Sequence, residues 1–178
     1  MKDSYHVTDI IEFCQQNWPQ SDSAIHRYVL HLHRLSNIEM QRAEPVMAEF
    51  GLTMTEFDLL ATLRRGPEPH VLTPTELQRS TLLSSGGQTK VLHQLEERGL
   101  VSRSVDKEDK RSKLVHLTKI GKSVIENAMA AVMDELDSGI VAANLSPQEL
   151  AQLTKLMGKL LQALETDTGF EALSRNGR

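Results

Sequence analysis

The sequence predicts a mainly α-helical fold carrying one small β-hairpin, and three observations carry that prediction. Apolar residues recur at helical spacing along most of the 178 residues. Three capping boxes, Thr53-Met54-Thr55-Glu56, Thr73-Pro74-Thr75-Glu76 and Ser146-Pro147-Gln148-Glu149, each mark a helix start. In such a box the hydroxyl oxygen takes the N–H three residues on, while the glutamate reaches back to the first N–H. Only two short runs, residues 100–105 and 112–117, read as strands, and the charged turn 106–111 separates them.

The elements follow in order. Val7, Ile10, Ile11 and Cys14 share one side of a short N-terminal helix, which Trp18-Pro19 ends. A long helix is expected from about Asp22, with Ile25, Tyr28, Leu32, Leu35 and Ile38 on one side and Gly51 as its stop. Pro45 lies inside that pattern and is expected to kink or interrupt it. The box at Thr53 opens a helix with Phe57, Leu60 and Leu63 as its core stripe, and Gly66-Pro67-Glu68-Pro69 breaks it. Pro74 begins a short helix to about Thr81, followed within a few residues by another helix with Ser84 as N-cap and Gly99 as terminator. That spacing is a helix-turn-helix, and the hairpin after it makes a winged helix-turn-helix. Thr118 caps a long helix bearing Ile120, Val124, Ala128, Val132, Leu136 and Ile140, and Leu150, Leu153, Met157, Leu160, Leu161 and Leu164 line the last one.

The organisation expected is an extra N-terminal helix over residues 1–20, dimerisation helices over 21–52 and 118–166, a DNA-binding winged helix-turn-helix over 53–117, and a mobile tail over 167–178. The terminal helices carry more apolar surface than one short domain covers, which fits a two-fold homodimer lobe built from both ends of the chain. Packing within one chain is the alternative.

The helix after Ser84 has two unlike faces. Val91, Leu92 and Leu95 form a narrow apolar stripe, whereas Ser84, Ser85, Gln88, Thr89, Lys90 and His93 offer hydroxyl, amide and cationic groups suited to base edges and phosphates. Gly86 and Gly87 remove side chains that would hold the backbone away from DNA, although they weaken the first turn by up to about 1 kcal/mol each. An ordinary surface helix with a frayed start has the same composition. In the hairpin, Arg103, Lys110, Arg111 and Lys113 supply cations, with Arg111 at the tip able to enter a narrow minor groove and Asp109 placed to steady the turn. A solvated surface charge is the competing reading of Arg111.

The elements T-P-T-E-L, L-S-S-G, L-E-E-R-G-L-V, D-x-x-D-x-R and L-T-x-x-G-K between Leu72 and Lys122 resemble the winged-helix core of the MarR family of dimeric, ligand-responsive transcription regulators. Glu49 to Thr53 and Glu56 to Arg65 resemble it too, so the likeness spans roughly residues 21–166. The resemblance implies double-stranded DNA with a pseudo-palindromic operator as partner, a second copy of the chain, and a small aromatic or phenolic anion as effector. It implies an effector site between the dimer lobe and the winged helix, involving Tyr28, His31, Arg34 and Phe57. The chain is also similar to the urate-responsive branch, whose ligand and coupling residues match Trp18, Asp58 and Arg103. Where that branch has an arginine on the recognition helix, this chain has Val91. Plain packing and helix-start charge are the other readings of Trp18 and Asp58.

Composition bounds the remaining classes. Aromatics are 4%, so Leu, Val, Ile and Met must supply the core. No run of eighteen apolar residues and no signal-like start are present, and a cytoplasmic protein without membrane attachment is expected. The formal charge is −4, yet residues 98–122 hold eight cations against three anions, a local +5 that leaves −9 elsewhere. That split fits a basic face on an acidic body. A single cysteine, Cys14, excludes an internal disulfide and a Cys-rich zinc site. Of the seven histidines, His31 and His33 lie two apart on a helix, about 200° round its axis, and cannot share one ion locally. No metal, no cofactor and no enzymatic constellation is expected. The rival readings are a winged helix that binds protein, and a thiol-based redox sensor acting through Cys14; the thiol position of the peroxide-sensing branch is held here by Val29.

Overall fold

The computed structural model describes residues 4–81, 87–105 and 113–167. The chain divides into two compact units, residues 1–136 and 137–178. In order come α1 (Val7–Asn17), a 3₁₀ turn (Pro19–Ser21), α2 (Ala24–Glu49), α3 (Met54–Arg65), β1 (Val71–Leu72), α4 (Pro74–Ser80), α5 (Gln88–Glu97), β2 (Val101–Val105), β3 (Lys113–Leu117), α6 (Lys119–Ala142) and α7 (Pro147–Asp167). The fold is thus mainly α with a small antiparallel sheet, a winged helix-turn-helix.

The three capping boxes form as the sequence predicts. Thr53 and Glu56 start α3, Thr73 and Glu76 start α4, and the Ser146 hydroxyl accepts from the Glu149 N–H at 3.3 Å at the start of α7. Glycine ends two helices for one physical reason. Gly51 and Gly99 have φ of 67° and 69°, a left-handed backbone that costs glycine little. This conformation lets the next N–H turn back to the helix: Leu52 donates to the Met47 carbonyl and Leu100 to that of Leu95, at 3.0 and 2.9 Å.

The core of the first unit gathers on α3. This helix packs against α2, α4, α5 and β3. Asp58 through Leu63 are all buried, with Leu60 and Leu63 fully so, and Phe57 packs partly against the same core. The stripe expected from spacing was too narrow, because a helix surrounded on several sides is buried nearly all round. Leu59 of the same helix and Met47, Leu77, Leu95, Val101, Val115, Ile125 and Ala128 are also fully buried, and they join α2, α4, α5, the sheet and α6. Burying each but Ala128 contributes on the order of 1.5–3 kcal/mol.

The sheet has strand order β1-β3-β2, all antiparallel, with Arg103 opposite Val115 and Val71 opposite His116. β1 went unforeseen because two residues carry no readable alternation.

Four expectations need correction. Of the two outcomes expected at Pro45, interruption does not occur: α2 runs from Ala24 to Glu49 through it. Pro45 removes one helical bond, but buried Ala43 and Met47 flank it near the helix end, and their packing carries the helix on. Second, α5 begins at Gln88, and its N-cap is Gly87 with φ of 82°, not Ser84; the Gly87 carbonyl takes the Lys90 and Val91 N–H groups at 2.9 and 3.1 Å. Third, α6 buries Gly121, Ile125, Ala128 and Val132, while Ile120 is 62% exposed. Ala128 and Val132 of the expected stripe are buried and Val124 and Leu136 pack partly against the core, whereas Ile120 falls outside it, beside the Gly121 that faces the Leu100 carbonyl. Fourth, α7 extends to Asp167, the first residue assigned to the tail.

In the first unit Tyr5, Phe13, Trp18, Ile25, Leu35 and Met40 are exposed. In the second, α7 exposes Leu153, Leu156, Met157, Leu160, Leu161 and Leu164. None of the described helices is long and apolar enough to cross a membrane.

Gly121 is the most closely approached of the described glycines: a Cβ there would lie 2.0 Å from the Leu100 carbonyl oxygen and 3.0 Å from Leu117 Cδ1. Gly121→Ala must push α6 off the α5–β2 junction, at a cost of about 1–3 kcal/mol or more. Urea unfolding of the variant with an unchanged midpoint would refute that packing.

Candidate nucleic-acid interface

α5 presents the two faces read from its sequence. Leu92 and Leu95 are buried and Val91 packs partly against the core, while Thr89, Lys90 and His93 are exposed and Gln88 is half-buried. The Gln88 amide reaches back to the Pro74 carbonyl at 3.5 Å, tying the start of α5 to the start of α4. His93 Nε2 lies 3.5 Å from Glu97 one turn on. Ser84, Ser85 and Gly86, expected at this helix start, and Asp109, Lys110 and Arg111, expected at the wing tip, lie outside the described residues.

The last turn of α5 is held on two sides by ion pairs that spacing did not reveal. Arg98 Nη1 donates to Glu56 Oε1 on α3 at 3.0 Å. The other oxygen of that carboxylate accepts from the Thr53 N–H and hydroxyl at 2.8 and 3.0 Å. On the opposite side Arg103 Nε of β2 lies 3.2 Å from Glu96 Oε2. That contact is a charge pair by distance without hydrogen-bond geometry, and Arg103 Nη2 is buried with no hydrogen-bond partner among the described residues. Arg103, expected to face DNA or a ligand, therefore packs against α5 with 27% of its side chain exposed. Lys113 on β3 is exposed, and the Ser104 hydroxyl and His116 Nε2 lie 2.6 Å apart across the strands.

The expected ligand residues fall on α2, α3 and β2, with Trp18 between α1 and the 3₁₀ turn. Trp18 is 64% and Tyr28 41% exposed. Arg34 donates to the Tyr5 carbonyl at 3.2 Å, and His31 Nδ1 lies 2.6 Å from the Arg27 carbonyl. Nearby, the Arg27 guanidinium bonds both oxygens of Asp22 at 2.6 Å, which holds the Asp22 carboxyl below its ordinary range and raises the Arg27 group. Asp58 is buried and sits 3.5 Å from Arg65 on the same helix. Cys14 is a half-buried free thiol. Among the described residues, no three His, Cys, Asp or Glu side chains gather to hold a metal ion.

Residues 50–112 match the family described as the MarR family. An uncharacterized HTH-type transcriptional regulator of Bacillus cereus is 30% identical over 131 residues, 74% of this chain and 84% of that one. The chain belongs to the MarR family. The HTH-type transcriptional regulator PecS of Dickeya dadantii is 27% identical over 155 residues, covering 86% of this MarR-family chain and 92% of PecS. The structure is also similar to the S. aureus MepR–DNA complex, with a TM-score of 0.64 and 26% identity over 76% of this chain and 97% of that one. The family consists of transcription regulators and not of enzymes.

Proposed function

We propose that this chain is a homodimeric, sequence-specific DNA-binding regulator of transcription, and a repressor released by a small aromatic anion. The observation that carries the DNA reading is the division of α5: Leu92 and Leu95 dock it on the core, while Thr89, Lys90 and His93 are exposed, and the sequence of the following hairpin is rich in cations. A helix held this way fits a major groove, with Gln88 and Thr89 reading base edges and Lys90 and His93 meeting phosphates or bases. The hairpin cations Lys110, Arg111 and Lys113 would track the backbone and minor groove, with Asp109 steadying the turn. The likeness to a regulator solved with DNA supports the same reading. The exposed apolar residues of α2 and α7 supply surface that a second copy would bury. DNA binding also implies work in the cytoplasm.

For the effector, Trp18, Tyr28, His31, Arg34, Phe57 and Asp58 remain the candidates, with Arg103 limited by its pairing to Glu96. Val91 cannot form the ion pair through which the urate-responsive branch would link Asp58 to the recognition helix, and here Asp58 meets Arg65.

Two-fold symmetry with one reading helix per subunit gives a pseudo-palindromic operator with half-sites about one helical turn, roughly 10 bp, apart. Footprinting on the sequence selected by the protein from genomic fragments checks this, and a single asymmetric half-site overturns it.

Gln88→Ala and Thr89→Ala are expected to relax sequence preference by about 1–3 kcal/mol per lost base contact. Lys113→Ala should weaken binding to every duplex alike and flatten the salt dependence. Anisotropy titrations on selected and scrambled duplexes separate the two classes; a uniform loss for Gln88 and Thr89 variants would move the reading face elsewhere.

Urate is expected to release DNA weakly or not at all, and Asp58→Asn to change release little. Val91→Arg, if it folds despite its place on the apolar stripe, should strengthen the urate response only while Asp58 is present. Strong release of the wild-type protein by micromolar urate contradicts this account.

A further inference from the structure

We propose that Glu56 and Arg98 act as a positioning pair that fixes the tilt of α5 against the α2–α3 junction, so that sequence discrimination depends on a buried carboxylate remote from the reading face. The proposal rests on α5 being the DNA-reading helix.

The geometry concentrates at the C-terminal end of α5. Glu56 is 6% exposed, and its two oxygens divide their work: one completes the capping box of α3, the other accepts from Arg98. Arg98 Nη2 also lies against the left-handed Gly51 that ends α2, 3.4 Å from where a Cβ would stand. A single guanidinium thus touches the end of α2 and the start of α3 while belonging to the cap of α5.

Leu92 and Leu95 hold the same helix by apolar contact, which is strong but not directional. The charge-assisted bond to Glu56 is directional and fixes the angle. Angle matters because of leverage. Gln88, at the reading end, is ten residues from Arg98, about 15 Å along the axis. A tilt of roughly 10° about the Arg98 end displaces Gln88 by about 2.5 Å, comparable to the whole length of a hydrogen bond to a base edge. Phosphate contacts by long lysine side chains tolerate such a shift, and bidentate base contacts do not.

The test uses the full-length protein with Glu56→Gln and Arg98→Gln, each confirmed folded by circular dichroism and urea unfolding. Two probes are used: the duplex that wild-type protein selects from a random library, and a scrambled duplex of equal length. Glu56→Gln keeps an amide oxygen for the Thr53 cap. Positioning predicts that both variants lose about tenfold in the selected-to-scrambled affinity ratio, and that amide hydrogen exchange quickens across α5 but not across the buried middle of α6. Arg98→Lys, which keeps the charge, should recover part of the ratio, and it also serves if Arg98→Gln does not fold.

A purely electrostatic role predicts opposite effects, since Glu56→Gln removes an anion and Arg98→Gln a cation. Opposite changes in affinity with an unchanged ratio overturn the proposal. So does a ratio unchanged in both variants with unaltered exchange, or a parallel fall on both duplexes, which marks plain loss of stability. If wild-type protein shows no preference for any duplex, the DNA reading itself fails. The exchange measurement then decides alone whether the pair holds α5: quickened exchange confined to α5 supports it, and unaltered exchange overturns it.

Discussion

One carboxylate joins three helices in this protein. Glu56 caps the first turn of α3 through Thr53 and holds the end of α5 through Arg98, while the Gly51 turn that delivers α2 to α3 packs against the same guanidinium. Removing one partner of a fully buried pair costs about 3–5 kcal/mol, because it strands the other charge away from water. Arg98 is 38% exposed, so the cost here is smaller, although without Arg98 the buried Glu56 would keep only its Thr53 donors. On the proposal above, this pair sets the angle of α5 against α3, beside the apolar contacts of Leu92 and Leu95.

The second joint lies on the other side of α5. Its end leaves the Gly99 and Leu100 carbonyls without helical partners, and Thr118 takes both: its hydroxyl donates to them at 2.7 and 3.1 Å, and its N–H to Leu100 at 3.2 Å. The same hydroxyl accepts from the Gly121 N–H at 3.0 Å and so caps α6. Gly121 then allows α6 to press on Leu100. The terminator of one helix and the cap of another satisfy each other, which spares a buried helix end from unpaired polar groups.

The legible parts were those written in local chemistry. Capping boxes, left-handed glycines and the two-faced pattern of residues 88–97 act over a few residues, so Thr53, Thr73, Ser146, Gly51 and Gly99 declare themselves. What escaped depends on distant partners. Glu56 and Arg98 are 42 residues apart, and neither carries a mark of the other. Arg103 reads as a free cation until Glu96 is found beside it. Ile120 fits a helical stripe, and only the packing of Gly121 on Leu100 shows that the core-facing side starts at its neighbour. Ser84 is a better N-cap than Gly87 by propensity, but the left-handed backbone at Gly87 places the start of α5 later.

Charge shows most clearly how far a local count can mislead. Residues 98–122 carry a formal +5, which alone describes a strongly basic face. Three of those eight cations have carboxylate partners from outside the segment: Arg98 meets Glu56, Arg103 meets Glu96, and Lys122 Nζ lies 3.4 Å from Glu68. Counting those three carboxylates with the segment leaves +2, carried by Lys107, Lys110, Arg111, Lys113 and Lys119 against three local anions. Each phosphate neutralised contributes about 0.9 to the salt slope on B-DNA, and under the proposed function the cations left in this segment for such contacts are these five. Under the proposed function, base contacts made by α5 demand that the helix be held at a fixed angle. The two arginines lost to the electrostatic count, Arg98 and Arg103, are those that grip α5 from either side.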